Sequence, residues 1–169
     1  MRYRDGVRRR RLLKTFLPVA SAAVLGNAFV GRESIAWFQG LRRPAIQLPM
    51  PGFYAVGAAY YLLVGVVIHR AVVRHDAHSY RLAMAVLAGN ELWNAVFFGR
   101  RSARAGFFGI VAFMVPLGLL QASVADDWVS TVALGSYTAW VVGYDVPWTY
   151  RLWRLNAAVA QAQSSPAAA

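Results

Sequence analysis

The stretch Ala105–Ala125 reads AGFFGIVAFMVPLGLLQASVA and carries no charged side chain. A helix of about 20 apolar residues is long enough to cross the hydrocarbon core of a bilayer, so this stretch alone predicts a transmembrane helix. The rest of the chain has the same character, because 58% of its 169 residues are hydrophobic and 15% are charged. Soluble domains have roughly 25% charged residues. We therefore expect an all-α membrane protein.

Four other segments are nearly free of charge, and the arginine clusters lie between the segments rather than inside them. Glu91 and Asp145 are the two acidic exceptions. The five segments predict a bundle of five transmembrane helices in a domain of residues 15–156, with approximate spans 15–31, 53–70, 81–99, 105–125 and 128–152. We expect a basic N-terminal arm at residues 1–14 and a disordered tail, rich in Ala, Gln and Ser, at residues 157–169.

The basic arm followed by an apolar segment is also the pattern of a signal peptide. That alternative is less favoured, because no clear A-x-A cleavage box is present and four more hydrophobic segments follow. The predicted localisation is a multi-pass integral membrane protein, in a prokaryotic cell membrane. The formal net charge of +11 fits membrane lipids with anionic headgroups as partners. The hydrophobic composition argues against nucleic acid.

Several kinds of chemistry are excluded or disfavoured by composition. The chain has no cysteine, which excludes disulfides, iron–sulfur clusters and thiol nucleophiles. No set of nucleophile, base and orienting group is visible, and no glycine-rich phosphate loop is present. The histidines His69, His75 and His78 cluster in one polar connection, with Asp76 as the carboxylate beside them. We therefore predict no catalytic residue and no metal ligand.

The longest connection, Arg32–Gly52, has two different halves. Pro44, Pro49 and Pro51 forbid a regular helix in the second half. In the first half, apolar residues from Ile35 to Leu41 can lie on one side of a short helix. The connection is therefore expected to form an interfacial segment or a lid over the bundle.

The third predicted span reads GNELWNAVFFGRRS over residues 89–102 and places polar side chains where hydrocarbon is expected. At helical spacing, Asn90, Glu91 and Asn94 form one polar stripe. We expect the stripe to face the bundle interior, since an ionisable group in lipid is costly and is usually functional. Hydrogen bonding between helices is the structural alternative, and for the two asparagines it is as well supported as ligand binding.

The last predicted span reads YTAWVVGYDVPWTYRLWRLN over residues 137–156 and is unusually aromatic. Tyr137, Trp140, Tyr144 and Trp148 fall on one face, with Asp145 one step around the helix. These rings are either core packing or the wall of a pocket for a flat apolar ligand. The Asp145 carboxylate could pair with an arginine, be held protonated, or share a proton with Glu91.

Short motifs recur in a fixed order along the chain. They are W-x-x-x-L-x-x-P at Trp37, Leu41 and Pro44; a later proline, Pro49; Tyr61 and Gly65 in the second span; N-x-x-W-x-x-x-F-F-G at Asn90, Trp93, Phe97, Phe98 and Gly99; Y-x-x-W at Tyr137 and Trp140; and W-R-x-N at Trp153, Arg154 and Asn156. In order, spacing and five-span frame, the chain from about Trp37 to Asn156 resembles the TspO/MBR family, the tryptophan-rich sensory proteins related to the mitochondrial translocator protein.

The resemblance implies a five-helix membrane protein, often a homodimer, whose first loop closes over a pocket for a small hydrophobic ligand. Ligands of the family include porphyrins such as protoporphyrin IX and haem, as well as sterols, so a bound porphyrin or haem is possible although no cofactor is required. By the resemblance Trp93 and Trp140 line the pocket, Asn90 is its polar residue, and the loop from Trp37 to Pro51 is the lid. From the resemblance and the residue patterns together, the candidate ligand-binding residues are Trp37, Pro44, Tyr61, Asn90, Glu91, Trp93, Asn94, Phe97, Phe98, Tyr137, Trp140, Tyr144, Asp145 and Trp148.

The chain departs from the family pattern at three places. Gly57 stands where the family has a tryptophan, Glu91 replaces a second tryptophan, and the last helix contains Asp145 and Trp148 with one residue inserted. These departures disfavour the porphyrin breakdown known from some members, so an enzyme is the least supported function. The preferred function is a receptor or carrier of a planar hydrophobic ligand. The alternative is a small proton- or cation-coupled transporter that uses Glu91 and Asp145.

Overall fold

The computed structural model describes the backbone of residues 2–164 and the side chains of residues 9, 11–26 and 28–157. Within these residues the chain is helical and has no strand. The α-helices are α1 (Arg2–Ala28), α2 (Arg32–Gly40), α3 (Met50–Arg74), α4 (Ala77–Asn94), α5 (Ala103–Ser123), α6 (Trp128–Trp140) and α7 (Val146–Ser164). A π-helical turn, Ala95–Gly99, extends α4, and a second one, Val141–Asp145, joins α6 to α7 without a break. The all-helical prediction is confirmed.

The described part of the chain forms six continuous helices, one more than the five expected. The additional helix is the short α2, which lies inside the first connection, where a short helix was considered. The other five are long, and short turns make them antiparallel from α3 onward. In the bundle α4 packs between α3 and α5. Helix α1 packs against α3 and α4, α7 against α5, and α6 against α3.

Three of the long helices are long and apolar enough to span a membrane: Met50–Arg74, Ala77–Gly99 and Ala103–Ser123. Their mean hydropathies are 1.8, 1.2 and 1.9. Large apolar side chains on the outside of the bundle, such as Leu62 and Leu119, are exposed, as expected for surfaces that face lipid. The helices therefore indicate an integral membrane protein.

Several helices extend beyond the predicted spans. The first span was predicted at residues 15–31, but α1 begins at Arg2, so the backbone of the basic arm from residue 2 onward is helical. The last helix continues to Ser164 and so includes part of the predicted tail. Residues 165–169 of that tail lie outside the described residues. Helices project past apolar spans because polar side chains can continue a helix in water once it has been nucleated.

Side-chain caps explain where α4 and α5 begin. The Asp76 carboxylate accepts hydrogen bonds from the backbone N–H groups of His78 and Ser79, each at 3.0 Å. The hydroxyl of Ser102 accepts one from the backbone N–H of Ala105 at 3.2 Å. Helix α3 begins with Pro51 in its first turn, where a missing N–H costs nothing. It ends at Arg74, and the next residue, His75, adopts a left-handed conformation with φ 59°.

One end of the bundle is solidly packed. At this end α3 and α5 bury Val64, Ile68, Leu117 and Leu120, each at most 1% exposed. We call this end, where α3 meets α4 and α5 meets α6, the packed end. Its close packing fixes the helices relative to one another.

An ion-pair network closes the packed end. Arg70 donates from Nε to Oδ2 of Asp127 at 3.0 Å, and Ser130 donates its hydroxyl to the same carboxylate at 2.6 Å. Arg74 donates to the Asp126 carboxylate at 2.7 Å. The hydrogen bonds from Arg70 and Ser130 hold the pKa of Asp127 well below its usual range. The turn before α6 is thereby tied to the last turns of α3.

Candidate functional site

The opposite end of the bundle is hollow. A cavity of about 430 Å³ lies between the long helices and beneath α2, and its size is within the range of small-molecule pockets. We call this the covered end. The cavity is lined by Ala23, Gly26, Val30, Phe38, Met50, Phe53, Tyr54, Val56, Gly57, Ala58, Tyr60, Tyr61, Asn90, Trp93, Asn94, Phe98, Ile110, Tyr137, Asp145 and Trp148. Most of the wall is aromatic or aliphatic, with a few polar groups.

The polar stripe of α4 points into the bundle, as expected. Its centre is Glu91, whose Oε1 accepts a hydrogen bond from the Tyr61 hydroxyl at 2.9 Å and one from the Asn90 amide at 3.2 Å. The Asn94 amide donates to Oε2 of the same carboxylate at 3.4 Å. Tyr61, Asn90 and Asn94 line the cavity, so Glu91 lies directly behind its polar wall.

Gly26 of α1 is what allows Glu91 this position. A Cβ atom at residue 26 would clash with the Glu91 carboxylate and would lie 2.9 Å from the Tyr61 hydroxyl oxygen. A glycine therefore allows the backbone of α1 to approach the polar group. The close approach covers the carboxylate on the side of α1.

The second carboxylate, Asp145, is part of the cavity wall. It accepts a hydrogen bond from the indole N–H of Trp140 through Oδ1 at 3.1 Å. In an α-helix, residues five apart point about 140° away from each other. The π-helical turn Val141–Asp145 holds more residues per turn, and so brings Asp145 beside Trp140.

The aromatic face of the last helix forms a stacked series. The rings of Trp140 and Tyr144 stack at 4.4 Å, and those of Tyr144 and Trp148 lie nearly parallel at 6.2 Å. The end of this series holds the first connection, because the Tyr144 hydroxyl accepts a hydrogen bond from the backbone N–H of Leu48 at 2.8 Å. The Trp148 indole also donates to the Gln47 amide oxygen at 3.4 Å.

Helix α2 covers the cavity with an aromatic side chain. Phe38 is 3% exposed and contacts the rings of Phe53, Phe98 and Trp148 edge-on, at 5.9 to 6.1 Å between centroids. Because Phe38 also lines the cavity, the lid and the wall share one aromatic cluster. Trp37 lies beside this cluster and packs edge-on against Phe97.

The proline-rich half of the first connection is held in place from below. The backbone N–H of Arg42 donates to the side-chain oxygen of Asn156 at 3.0 Å, and the Asn156 amide donates to the Arg42 carbonyl at 3.1 Å. Pro44 is buried, and its carbonyl accepts the N–H of Gln47 in a turn at 2.9 Å. The two hydrogen bonds between Asn156 and the Arg42 backbone give a structural reason for the asparagine of the W-R-x-N motif.

Eight of the fourteen predicted binding residues line the cavity: Tyr61, Asn90, Trp93, Asn94, Phe98, Tyr137, Asp145 and Trp148. The other six lie next to it or support it. Glu91 is behind the wall, Phe97 is buried in the aromatic cluster, and Trp37 packs on Phe97. The binding role of all fourteen stays a prediction.

Trp140, Tyr144 and Pro44 are the predicted residues whose surroundings differ most from a pocket wall. Trp140 positions Asp145, Tyr144 anchors Leu48, and Pro44 belongs to the turn of the lid. Trp140 therefore acts on a residue of the wall, and Tyr144 and Pro44 act on the first connection beside the cavity. Their placement depends on the second π-helical turn and on the folding of the first connection, which helical periodicity does not describe.

The sequence patterns missed part of the wall. Phe53, Tyr54 and Gly57 of α3 line the cavity, as does Phe38 of α2. The signal for Phe38 was present, since it lies on the apolar side of the short helix. Residues 53, 54 and 57 recur at helical spacing, but their helix has no polar stripe to identify its inner face.

The site offers no set of metal ligands, because no group of three or more His, Asp or Glu side chains converges in the described ranges. Its polar groups are better suited to orienting an organic ligand.

A model of the TspO/MBR family matches residues 15–154 of the chain. Among curated proteins, none matches it. The family match includes three of the long helices and the first connection in full and parts of the first and last helices, and on that evidence the protein belongs to the TspO/MBR family.

Proposed function

We propose that the protein binds a planar hydrophobic ligand in the cavity of the covered end. Candidate ligand classes are a tetrapyrrole, such as protoporphyrin IX or haem, and a sterol. The observation that carries the proposal is the cavity itself, about 430 Å³ in volume, walled by aromatic side chains and covered by Phe38. A flat ring can stack on such walls, and its transfer from water is favoured by about 25 cal/mol per Å² of apolar surface buried.

The surroundings of the cavity suit a ligand that partitions into lipid. A TspO/MBR protein with apolar helices fits a membrane receptor or binding protein. We further propose that the chain crosses a prokaryotic cell membrane five times and that it assembles as a homodimer. The two long helices at the ends of the chain would supply the remaining two crossings beside the three apolar ones.

The test is to fill the cavity. Gly57 lines it, and a Cβ atom at this position would meet nothing within 4 Å. Gly57→Phe should therefore place a ring in the cavity without a backbone clash. We expect titration of the detergent-purified protein with protoporphyrin IX to quench tryptophan fluorescence in the wild type, and expect at least about tenfold weaker binding in Gly57→Phe.

The matched control is Gly118→Phe. Gly118 also lies within a long helix, and a Cβ atom there would likewise meet nothing within 4 Å, but it is not part of the cavity wall. Both changes add the same ring and the same gain in helix propensity. Equal affinity of Gly57→Phe and Gly118→Phe for the porphyrin would remove the cavity as its binding site.

A second candidate function is proton- or cation-coupled transport through Glu91 and Asp145. It is favoured by the presence of both carboxylates inside the bundle, one in the cavity wall and one directly behind it. The corresponding measurement is pH-dependent flux into liposomes, compared between wild type and Glu91→Gln. A flux that changes neither with pH nor with the substitution would eliminate this candidate function.

A further inference from the structure

The hydrogen-bonding groups of the cavity wall are mostly acceptors. Asn90 and Asn94 each direct one amide N–H to Glu91, so each has its amide oxygen and one further N–H left for a ligand. The Tyr61 hydroxyl donates its hydrogen to Glu91 and retains an acceptor oxygen. The Asp145 carboxylate can only accept when ionised, and a carboxylate has room for more than the one indole it holds.

The donors of the wall are directed elsewhere. The indole N–H of Trp93 donates to the Gly106 carbonyl at 2.9 Å, and that of Trp148 donates to Gln47. The Tyr60 hydroxyl donates to the Val86 carbonyl at 3.2 Å. Tyr54 and Tyr137 retain hydroxyls that can donate or accept. The donors left for a ligand are therefore these two hydroxyls and the second amide N–H groups of Asn90 and Asn94, all of them uncharged.

The charged groups in the wall and directly behind it are negative. Among the described residues that line the cavity, Asp145 is the ionisable carboxyl group, and none is a lysine, arginine or histidine. Glu91 adds a second carboxylate directly behind the wall. A ligand with free carboxylates would meet like charge without a cationic partner, whereas a ligand cation would supply the partner that a carboxylate in a membrane lacks.

The aromatic rings favour a cation as well. Phe53, Tyr54, Trp93 and Trp148 contribute ring faces or edges to the lining. Ring faces attract ammonium groups and also stack on planar aromatic systems. One ligand can satisfy both the rings and the acceptors if it combines a flat aromatic body with a positively charged donor.

We propose that the cavity selects planar aromatic ligands that carry an aliphatic amine, which bind as cations with their ammonium group at Asp145, over anionic ligands of the same shape. This proposal rests on the proposed function, because it assigns the chemical class of the ligand in the same cavity. It also ranks the candidate classes, since a tetrapyrrole with ionised carboxylates becomes a poorer ligand than an amine.

The test compares three tricyclic probes of matched shape in a nonionic detergent. They are 9-(aminomethyl)anthracene, an ammonium cation at neutral pH; 9-anthracenemethanol, a neutral donor; and anthracene-9-carboxylate, an anion. After correction for partitioning into protein-free micelles, we expect the wild type to bind the cation at least about tenfold more tightly than either other probe. Equal affinity for the cation and the anion would overturn the proposal, and so would equal affinity for the cation and the neutral alcohol.

Variants of single carboxylates test which groups cause the preference for the cation. Asp145→Asn should remove most of the preference for the cation, and Glu91→Gln should reduce it, which keeps a second readout if one variant folds poorly. Asp126→Asn removes an exposed carboxylate at the packed end and should leave the preference unchanged. A preference for the cation that persists in both Asp145→Asn and Glu91→Gln would overturn the proposal.

Gly57→Phe distinguishes this proposal from the proposed function. If Gly57→Phe weakens all three probes but the wild type shows no preference by charge, the cavity remains the binding site and the amine proposal fails. If Gly57→Phe changes the affinity of no probe, the proposed function fails and the amine proposal fails with it. Weakened binding of the cation in Gly57→Phe, together with a preference lost in Asp145→Asn, supports both.

Discussion

The packed end and the covered end of the bundle solve the problem of polar groups in a membrane protein in opposite ways. At the packed end, Asp127 is neutralised by Arg70 and bonded by Ser130. At the covered end, Glu91 and Asp145 have tyrosine, amide and indole donors, without an ion pair among the described residues. The carboxylate at the packed end is therefore neutralised by a cationic side chain. The two carboxylates at the covered end have uncharged donors as partners.

The helices differ between the two ends in the same sense. Ordinary α-helical turns interlock around Leu117 and Leu120 at the packed end. Both π-helical turns lie at the covered end, and each contributes a residue to the cavity wall, Phe98 from the first and Asp145 from the second. A π-helical turn costs backbone regularity, and such turns occur frequently at functional sites. The regular turns therefore belong to the closely packed end, and the π-helical turns to the end that holds the candidate site.

The largest loss of stability is expected from a substitution at the packed end. Leu120→Ala should cost about 2 to 5 kcal/mol, because the side chain is fully buried and its removal leaves a hole in a close-packed region. Phe53→Ala should cost less although it removes more atoms, because Phe53 already borders a cavity. Thermal unfolding in detergent measures both losses. A greater loss in Phe53→Ala would break the assignment of stability to the packed end.

The next effect is expected at Asp127. Asp127→Asn should lower the free energy of unfolding by roughly 1 to 3 kcal/mol, because it removes the charge that Arg70 and Ser130 bind. Since the pKa of Asp127 is lowered in the fold, its contribution is present above the unfolded-state pKa of about 3.9 and is lost as the pH falls toward the folded value. Unfolding temperatures measured from pH 7 down to pH 3 should therefore fall more steeply in the wild type than in Asp127→Asn. Parallel pH profiles would contradict the role of this carboxylate.

A smaller effect is expected where α1 approaches the polar stripe. Gly26→Ala should cost about 1 to 2 kcal/mol, because its methyl group would displace the Glu91 carboxylate from Tyr61. In a double-mutant cycle, Gly26→Ala should cost much less in a Glu91→Ala background, since the clash is then removed. The free energies of unfolding of the four proteins give the coupling. Additive effects would show that Gly26 does not act on Glu91.

The smallest effect is expected in the connection that covers the cavity. Asn156→Ala removes the two hydrogen bonds to the Arg42 backbone, which are exposed, so it should cost at most about 1 kcal/mol in stability. A looser lid should instead speed release of a bound porphyrin, by about tenfold or less, as measured by stopped-flow fluorescence. Arg154→Ala, at an exposed position of the same helix, is the control. Equal release rates in both variants would separate Asn156 from the lid.

Helical periodicity predicted the inner face of α4 correctly because polar residues in lipid have one favourable direction. Asn90, Glu91 and Asn94 lie on one strip in the sequence, and the structure turns that strip to Tyr61. The same reasoning also favoured a short helix followed by an irregular segment in the first connection, since the prolines forbid the helix to continue.

In the last helix, periodicity predicted the shared aromatic face but not the position of Asp145. Counting 3.6 residues per turn places Trp140, Tyr144 and Trp148 on a single face, and their rings do stack in series. The second π-helical turn brings Asp145 beside Trp140, which this count does not describe. As a result, Trp148 reaches the cavity while Trp140 bonds to Asp145. The inserted residue predicted for this helix is the available signal, because an insertion within a helix is absorbed by a wider turn.

Composition and the spacing of neighbouring residues predicted the membrane setting, the helical architecture and the polar character of α4. The order of the motifs along the chain carried the resemblance to the family. The tertiary structure decided which side chains meet across helices. Only there does Gly26 make room for Glu91, and only there does Phe38 of the first connection close over rings from α3 and α7. The physical reason is that a cavity is made by what distant segments leave unfilled, and no local pattern of residues records an empty space.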